Sequence, residues 1–371
     1  MRKKYSLLCC LLILLSVATG CSDNDSIDEF AVADNATCQY YRTLLAKLDW
    51  GTGTTYVVGH LTPDMDATCS AISYAYLMRA LGYNCEARVA GKCNRETLFT
   101  ADTLGFSLPP ILASADGEQL ILVDHNEYSQ AVEGAENAKI LQVIDHHGLG
   151  SVTEASLTFS KYEPIGSTCT IVYESFRELG VNIPDTIARV LTGGILSDTD
   201  NLTKSMTTDN DSIALAALAK QLNYSTDDIN RLFSRMSWAR TDLSGMTNEE
   251  IFDADAKNYV INGYNIRVGN VIWIESAEDD LTHRVLSAMP GITKQYNVDM
   301  AFAIVDYYPK DNGGKKKGTF VLYYGDGAKE VAETAFGTSM EEGIIYSAKS
   351  VGRKTTFIPV VTDVLNSMEA K

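Results

Sequence analysis

The stretch Thr55-Tyr56-Val57-Val58-Gly59-His60-Leu61-Thr62-Pro63-Asp64-Met65-Asp66 decides the fold. Its first four residues are β-branched or aromatic and make a short apolar run, the signature of a buried strand. Pro63 then stiffens a polar turn, and from Asp66 to Leu81 apolar residues recur at helical spacing. Strand, turn and helix in that order build a parallel sheet, and ligands collect where such strands end. The turn carries His60, Asp64 and Asp66 as H-x-x-x-D-x-D. One imidazole and two carboxylates are hard-to-borderline donors suited to manganese, magnesium or iron. Alone, the pattern is equally a loop whose polar groups satisfy one another.

The same grammar repeats downstream. Leu120-Ile121-Leu122-Val123 ends in Asp124, and Ile140-Leu141-Gln142-Val143-Ile144 ends in Asp145. Helical spacing covers Ser167 to Leu179, Asp185 to Leu196 and Asp211 to Met236, and the polar segment 237–250 reads as a linker. Beyond it, 259–274 and 298–324 are strand-rich, with Asp311-Asn312-Gly313-Gly314 as a hairpin turn. The expected class is α/β. An N-terminal domain (46–236) holds a mainly parallel sheet flanked by helices, and a smaller α+β domain (251–371) follows.

A strand-end aspartate is commonly just a helix N-cap. Here four polar clusters share one domain: His60 to Asp66, Asp124-His125-Asn126-Glu127, Asp145-His146-His147 and Ser197-Asp198-Thr199. They contain four of the five histidines, which concentrates metal-binding chemistry in one place.

In that order the clusters resemble the DHH phosphoesterase superfamily. Val123-Asp124-His125-Asn126-Glu127, Gly166-Ser167-Thr168, and Asp198-Thr199 followed by Lys204-Ser205 are similar to its manganese-dependent (family II) inorganic pyrophosphatase branch. Asp255-Ala256-Lys257 resembles the branch's D-x-K, and Ser350-Val351-Gly352-Arg353-Lys354 with Pro359 its S-R-K-K…P segment. The resemblance runs from about residue 55 to the end of the chain. It implies a DHH domain and a DHHA2-type domain with the active site in the cleft between them. It also implies two divalent cations, Mn2+ foremost, with Mg2+ or Co2+ as alternatives. One cation falls to His60, Asp64, Asp124 and Asp198, the other to Asp66, Asp124, His146 and Asp198, so that Asp124 and Asp198 are shared. His147 is implied to contact phosphate or protonate the leaving group, and Lys257, Arg353 and Lys354 to bind phosphate oxygens. The implied reaction is hydrolysis of pyrophosphate to two phosphates, and a homodimer is a further expectation. His125 receives no ligand role, and His283 is expected to be unrelated. Gly352-Arg353-Lys354-Thr355 has one basic residue fewer than the branch's segment, which weakens the expected phosphate grip.

The N-terminus looks like a targeting segment. Arg2-Lys3-Lys4 precedes an apolar run from Leu7 to Val17 that is too short to span a bilayer well. It ends in Val17-Ala18-Thr19-Gly20-Cys21, which resembles a bacterial lipobox. Residues 1–20 are thus expected to be a lipoprotein signal peptide, and 21–45 a tether anchored through lipidated Cys21 at the periplasmic face or cell surface. The formal charge of −17 argues against nucleic acid as a partner, because counterion release needs a basic surface. Cysteines 38, 69, 85, 93 and 169 form no C-x-x-C pair. A Cys85–Cys93 bridge in an oxidising compartment is left open.

Two other functions compete. A DHH phosphodiesterase acting on short oligonucleotides or cyclic dinucleotides usually ends in a G-G-G-H segment, absent here. A non-catalytic lipoprotein binding metal or phosphate would be expected to have lost ligands, and none of the expected ligands is missing.

Overall fold

A computed structural model describes residues 35–152, 159–274, 280–309 and 316–368. The signal peptide, Cys21 and the hairpin turn at 311–314 lie outside the described residues. The expected tether does not extend to residue 45. Its end is a helix, α1 (Asn35–Ala46), held by Arg42 donating through Nη2 to the Leu179 carbonyl at 2.7 Å.

The first domain alternates as expected. In order come β1 (Thr55–Val58), α2 (Met65–Ala80), β2 (Cys85–Arg88), α3 (Arg95–Leu104), β3 (Gln119–Val123), β4 (Lys139–Asp145) and β5 (Phe159–Tyr162). Next are α4 (Thr168–Glu178), α5 (Asp185–Thr199), α6 (Asp209–Gln221) and α7 (Thr226–Thr241). The strands pair in parallel in the order β2-β1-β3-β4-β5. Both faces are covered, which is why the strands read as unbroken apolar runs. Val57, Ile121, Val123 and Ile144 pack towards α2, α4 and α5, and Val58, Leu120, Leu122 and Val143 fill the opposite core. Strand order reverses between β1 and β3, so His60 and Asp124 leave adjacent strands in opposite crossover directions. A crevice opens at such a switch point.

Two expectations change here. The helical run Asp211 to Met236 is two helices, broken where Asn223 takes a left-handed φ of 57° and Ser225 caps α7. The linker is also shorter than 237–250. Helix α7 runs to Thr241 and α8 (Asn248–Asp253) begins soon after, leaving 242–247 irregular.

The second domain holds β6 (Ala256–Ile261), β7 (Tyr264–Ile274), α9 (Leu281–Gln295), β8 (Met300–Tyr308), β9 (Gly318–Gly325), α10 (Ala328–Phe336), β10 (Ile344–Ser347) and α11 (Ile358–Ser367). Its mixed sheet runs β10-β9-β8-β7-β6, with only β7 and β8 parallel. Phe302 and Ile304 face a core shared with α10 and α11, while Ala301 and Val305 face α8 and α9. Cys85 and Cys93 are free buried thiols, and the Cys93 Sγ lies 3.8 Å from Thr68 Oγ1. Among the described residues no helix is long and apolar enough to cross a membrane.

Candidate metal centre

The centre is assembled at the carboxyl ends of β1, β3 and β4. Gly59 lets α2 close onto the end of β1, since a Cβ there would sit 2.7 Å from the Ala67 Cβ. Asp64 caps α2, its Oδ1 accepting from the Ala67 N–H at 3.0 Å, and its Oδ2 lies 3.2 Å from His60 Nε2. One residue into the helix, Asp66 is gripped by the N-terminus of α4. Its Oδ1 accepts from Ser167 Oγ (2.7 Å) and the Cys169 N–H (3.0 Å), and its Oδ2 from the Thr168 N–H (2.7 Å). The orphan N–H groups of a helix start suit a carboxylate.

Asp124 leaves β3 with a left-handed φ of 59°, a conformation that costs a non-glycine residue about 1–3 kcal/mol and concentrates at functional sites. That twist points its Oδ2 at His60 Nε2 (3.4 Å) and its Oδ1 at His146 Nε2 (3.4 Å). Thr168 Oγ1 also donates to Oδ1 at 3.1 Å. His146 is steered by Nδ1, 2.8 Å from the Ile165 carbonyl, and its Nε2 lies 3.2 Å from Asp198 Oδ2. The result is three overlapping donor groups, His60–Asp64–Asp124, Asp66–His146–Asp198 and Asp124–His146–His147, each with donor atoms within 4.8 Å of one another. Asp124 belongs to the first and third groups and adjoins the second through His146. Asp198, in the last turn of α5, falls in the second group, on the His146 side.

His147 is held by Asp145, whose Oδ1 lies 2.7 Å from His147 Nδ1 and accepts the His147 N–H at 3.1 Å. Asn126 in turn donates to the other oxygen of Asp145 and, at 2.8 Å, to the Gly148 carbonyl. The His147 Nε2 is left buried without a hydrogen-bond partner. From the second domain, Lys257 is buried and Lys354 reaches over with Nζ 3.5 Å from His146 Nε2. Arg353 arrives already engaged. Its Nη2 and Nη1 donate to the Asp255 side chain and carbonyl, both at 2.7 Å, and its buried Nε has no partner. All the expected site residues thus meet in one place. His125, buried with Nδ1 2.9 Å from the Val123 carbonyl, and His283, paired with Asp280 and Glu341, belong to none of the donor groups.

Both domains are similar to those of known proteins. Residues 54–195 match the DHH family, N-terminal domain, and residues 234–364 the DHHA2 domain. A Lactobacillus helveticus protein named "Probable manganese-dependent inorganic pyrophosphatase" is 33% identical over 83% of this chain and 97% of its own length. A Streptococcus mutans protein of the same name is 32% identical over 84% of this chain and 98% of its own. The chain belongs to the manganese-dependent inorganic pyrophosphatase family. A solved structure of a candidate family II inorganic pyrophosphatase from Methanococcus jannaschii shares the fold, with a TM-score of 0.73 at 28% identity over 84% of this chain and 99% of that one.

In this family member, the electrostatics ask for cations. Burial, followed by the charges of Asp124 and Asp198, pushes the Asp66 carboxyl well above the usual range. Burial pushes His60 down and Lys257 adds to that, but Asp64 and Asp124 outweigh both and hold its pKa up. His147 is driven well below the ordinary imidazole range by burial and then by Lys354 and His146, and so stands neutral. Burial opposes the charge on Lys257, yet Asp64 and Asp124 keep it protonated. The Ser167–Cys169 cradle and the Asn126–Asp145 hold on His147 were not assigned from the sequence. The Gly166-Ser167-Thr168 cap ahead of an apolar helix was the only signal for the first.

Proposed function

We propose that the protein hydrolyses inorganic pyrophosphate to two phosphates with two manganese ions. The observation that carries this is Asp124, whose two oxygens face separate histidine–aspartate sets beneath cations from the second domain. The donors fit the metal: buried nitrogen and carboxylate groups, no thiolate, and a carboxylate cluster that lacks enough positive charge of its own. His60, Asp64 and Asp124 would hold one ion, and Asp66, Asp124, His146 and Asp198 the other. Bound there, the ions would supply Lewis-acid charge to phosphoryl oxygens and lower the pKa of an attacking water.

The chain's own groups do the rest. Lys257 and Lys354 bind phosphate oxygens as point charges, and Arg353 forks a phosphate when it releases one Asp255 contact. Asp145 fixes His147 through Nδ1 and would stabilise its charge once Nε2 takes up a proton, the form in which Nε2 can donate to the leaving phosphate. Apposition of the two domains keeps bulk water from the charges and strengthens them. Phosphate release from pyrophosphate, compared with release from a dinucleotide in Mn2+, tests this. Turnover of the dinucleotide alone would sink it.

We infer further that a lipid on Cys21 holds the enzyme on a membrane outside the cytoplasm, on the strength of the lipobox-like Val17 to Cys21. Cys21→Ser should then move the protein from the detergent phase to the aqueous phase. Unchanged partitioning would count against the anchor.

A further inference from the structure

Lys204 follows the Asp198-Thr199 pair and has no task in the chemistry above. The route that brings it to the site is unusual. Helix α5 stops at Thr199, and three consecutive residues then turn left-handed, none of them glycine: Asp200 (φ 49°), Asn201 (φ 53°) and Leu202 (φ 66°). L-residues avoid this region, and a leucine has no polar side-chain group to compensate. The surroundings over-determine the turn. The Thr199 carbonyl accepts from the N–H groups of Thr203 (2.9 Å) and Lys204 (3.0 Å), and Thr199 Oγ1 accepts from the Leu202 N–H (3.1 Å). Arg240 donates to Asp200 Oδ1 at 3.1 Å.

The turn reverses the chain, so that Lys204 Nζ returns to within 3.3 Å of Asp198 Oδ1. The other Asp198 oxygen faces His146, on the metal side. Lys204 also lines a cavity of about 240 Å³ together with Asp64, Asp198 and Asp255. Its side chain is 41% exposed, and Asp198 is its ion-pair partner among the described residues.

We propose that Lys204 is a further phosphate-binding cation, held on Asp198 in the metal-free protein and turned to pyrophosphate once a divalent ion occupies the Asp66–His146–Asp198 set. A single carboxylate charge cannot satisfy a divalent cation and an ammonium equally, so a metal held by Asp198 would weaken the grip of that carboxylate on Lys204. The flexible four-carbon stem and three donors of lysine then suit an anion arriving in the same cavity. Lys204 would supply positive charge from the first domain, where Lys257, Arg353 and Lys354 supply it from the second. This inference rests on the pyrophosphatase activity proposed above.

The test compares the full chain with Lys204→Ala and Lys204→Arg by calorimetry. Mn2+ is titrated alone, then imidodiphosphate, a non-hydrolysable analogue, is titrated into the Mn2+-loaded protein, and KM and kcat follow. Lys204→Ala should leave Mn2+ affinity unchanged or tighter, weaken imidodiphosphate about tenfold and raise KM, as expected for one lost charged hydrogen bond. Lys204→Arg should restore most of the analogue affinity. Unchanged analogue affinity in Lys204→Ala would overturn the proposal, and so would a tenfold loss of Mn2+ affinity, which would make Lys204 a positioning residue for Asp198. If the wild-type chain binds imidodiphosphate but turns over no pyrophosphate, the parent proposal fails alone, because analogue affinity still reports on Lys204.

Discussion

Asp124 places its Oδ1 3.4 Å from His146 Nε2 while its second oxygen reaches His60. A carboxylate that serves two donor sets cannot be altered for one alone. Asp124→Asn keeps the shape but removes the charge and one acceptor oxygen. Groups that merely orient metal ligands cost about 10–100-fold in metal affinity when changed. Losing the shared ligand should therefore cost at least about 100-fold at both positions and abolish phosphate release. Calorimetry checks this. A variant that still binds one Mn2+ at full affinity would show that Asp124 is not shared.

Metal should also stabilise the fold. Asp64, Asp66, Asp124 and Asp198 converge in one crowded site, and Asp66 is the group most plainly starved of compensating charge. A ligand that binds only the native state at 100 times its Kd adds about 2.7 kcal/mol. For a domain of this size that is a rise of about 5–10 °C in Tm. Melts with Mn2+ and with a chelator measure the difference. Curves that superimpose would mean that the cluster binds no metal.

Most of the polar groups were legible because they lie at or just past the end of a strand of unmistakable composition, so the chain itself says where they will be delivered; Asp198, in the last turn of α5, is the exception. His60, Asp124 and Asp145 all obey that rule. What the sequence hid depends on partners far away in the chain or on backbone conformation. The break at Asn223 was missed because apolar spacing continues through it, although Ser225 and Asp228 form the capping box that starts a new helix. That Asp198 lies beside His146 and Asp66 follows from where α5 ends in space, which spacing cannot give. Likewise Asp200-Asn201-Leu202 reads merely as a turn. Its left-handed course, and with it the return of Lys204, comes from Thr199 and Arg240.

Gly59→Ala should disturb both stability and metal binding. The added methyl would lie 2.7 Å from the Ala67 Cβ and 3.0 Å from its carbonyl oxygen, and backbone yields poorly. Overpacking of this kind costs about 1–3 kcal/mol. Ala67 follows Asp66 directly and donates to Asp64, so a shifted helix start moves two ligands together. Urea unfolding and Mn2+ titration should both report the change, whereas Gly53→Ala, which meets nothing within 4 Å, should leave both unaltered. Equal behaviour of the two variants would deny the close approach of α2 to β1.

Glu174, on the helix whose N-terminus grips Asp66, gives the fold a pH dependence. Burial, then the charge of Glu163, pushes its pKa up to about 7 despite nearby Lys161. In the unfolded chain the same carboxyl titrates near 4.5. Between those values the native state binds more protons than the unfolded state, so stability falls as pH rises. The contribution is fully present below about pH 4.5 and is lost as pH climbs through 7. Glu174→Gln cannot ionise and should escape this loss. Its Tm should stay close to wild type at pH 5 and rise above it by pH 8, the gap opening across that interval. A gap that stays constant from pH 5 to 8 would mean that the native carboxyl is already ionised at the acid end, and that Lys161 outweighs burial and Glu163.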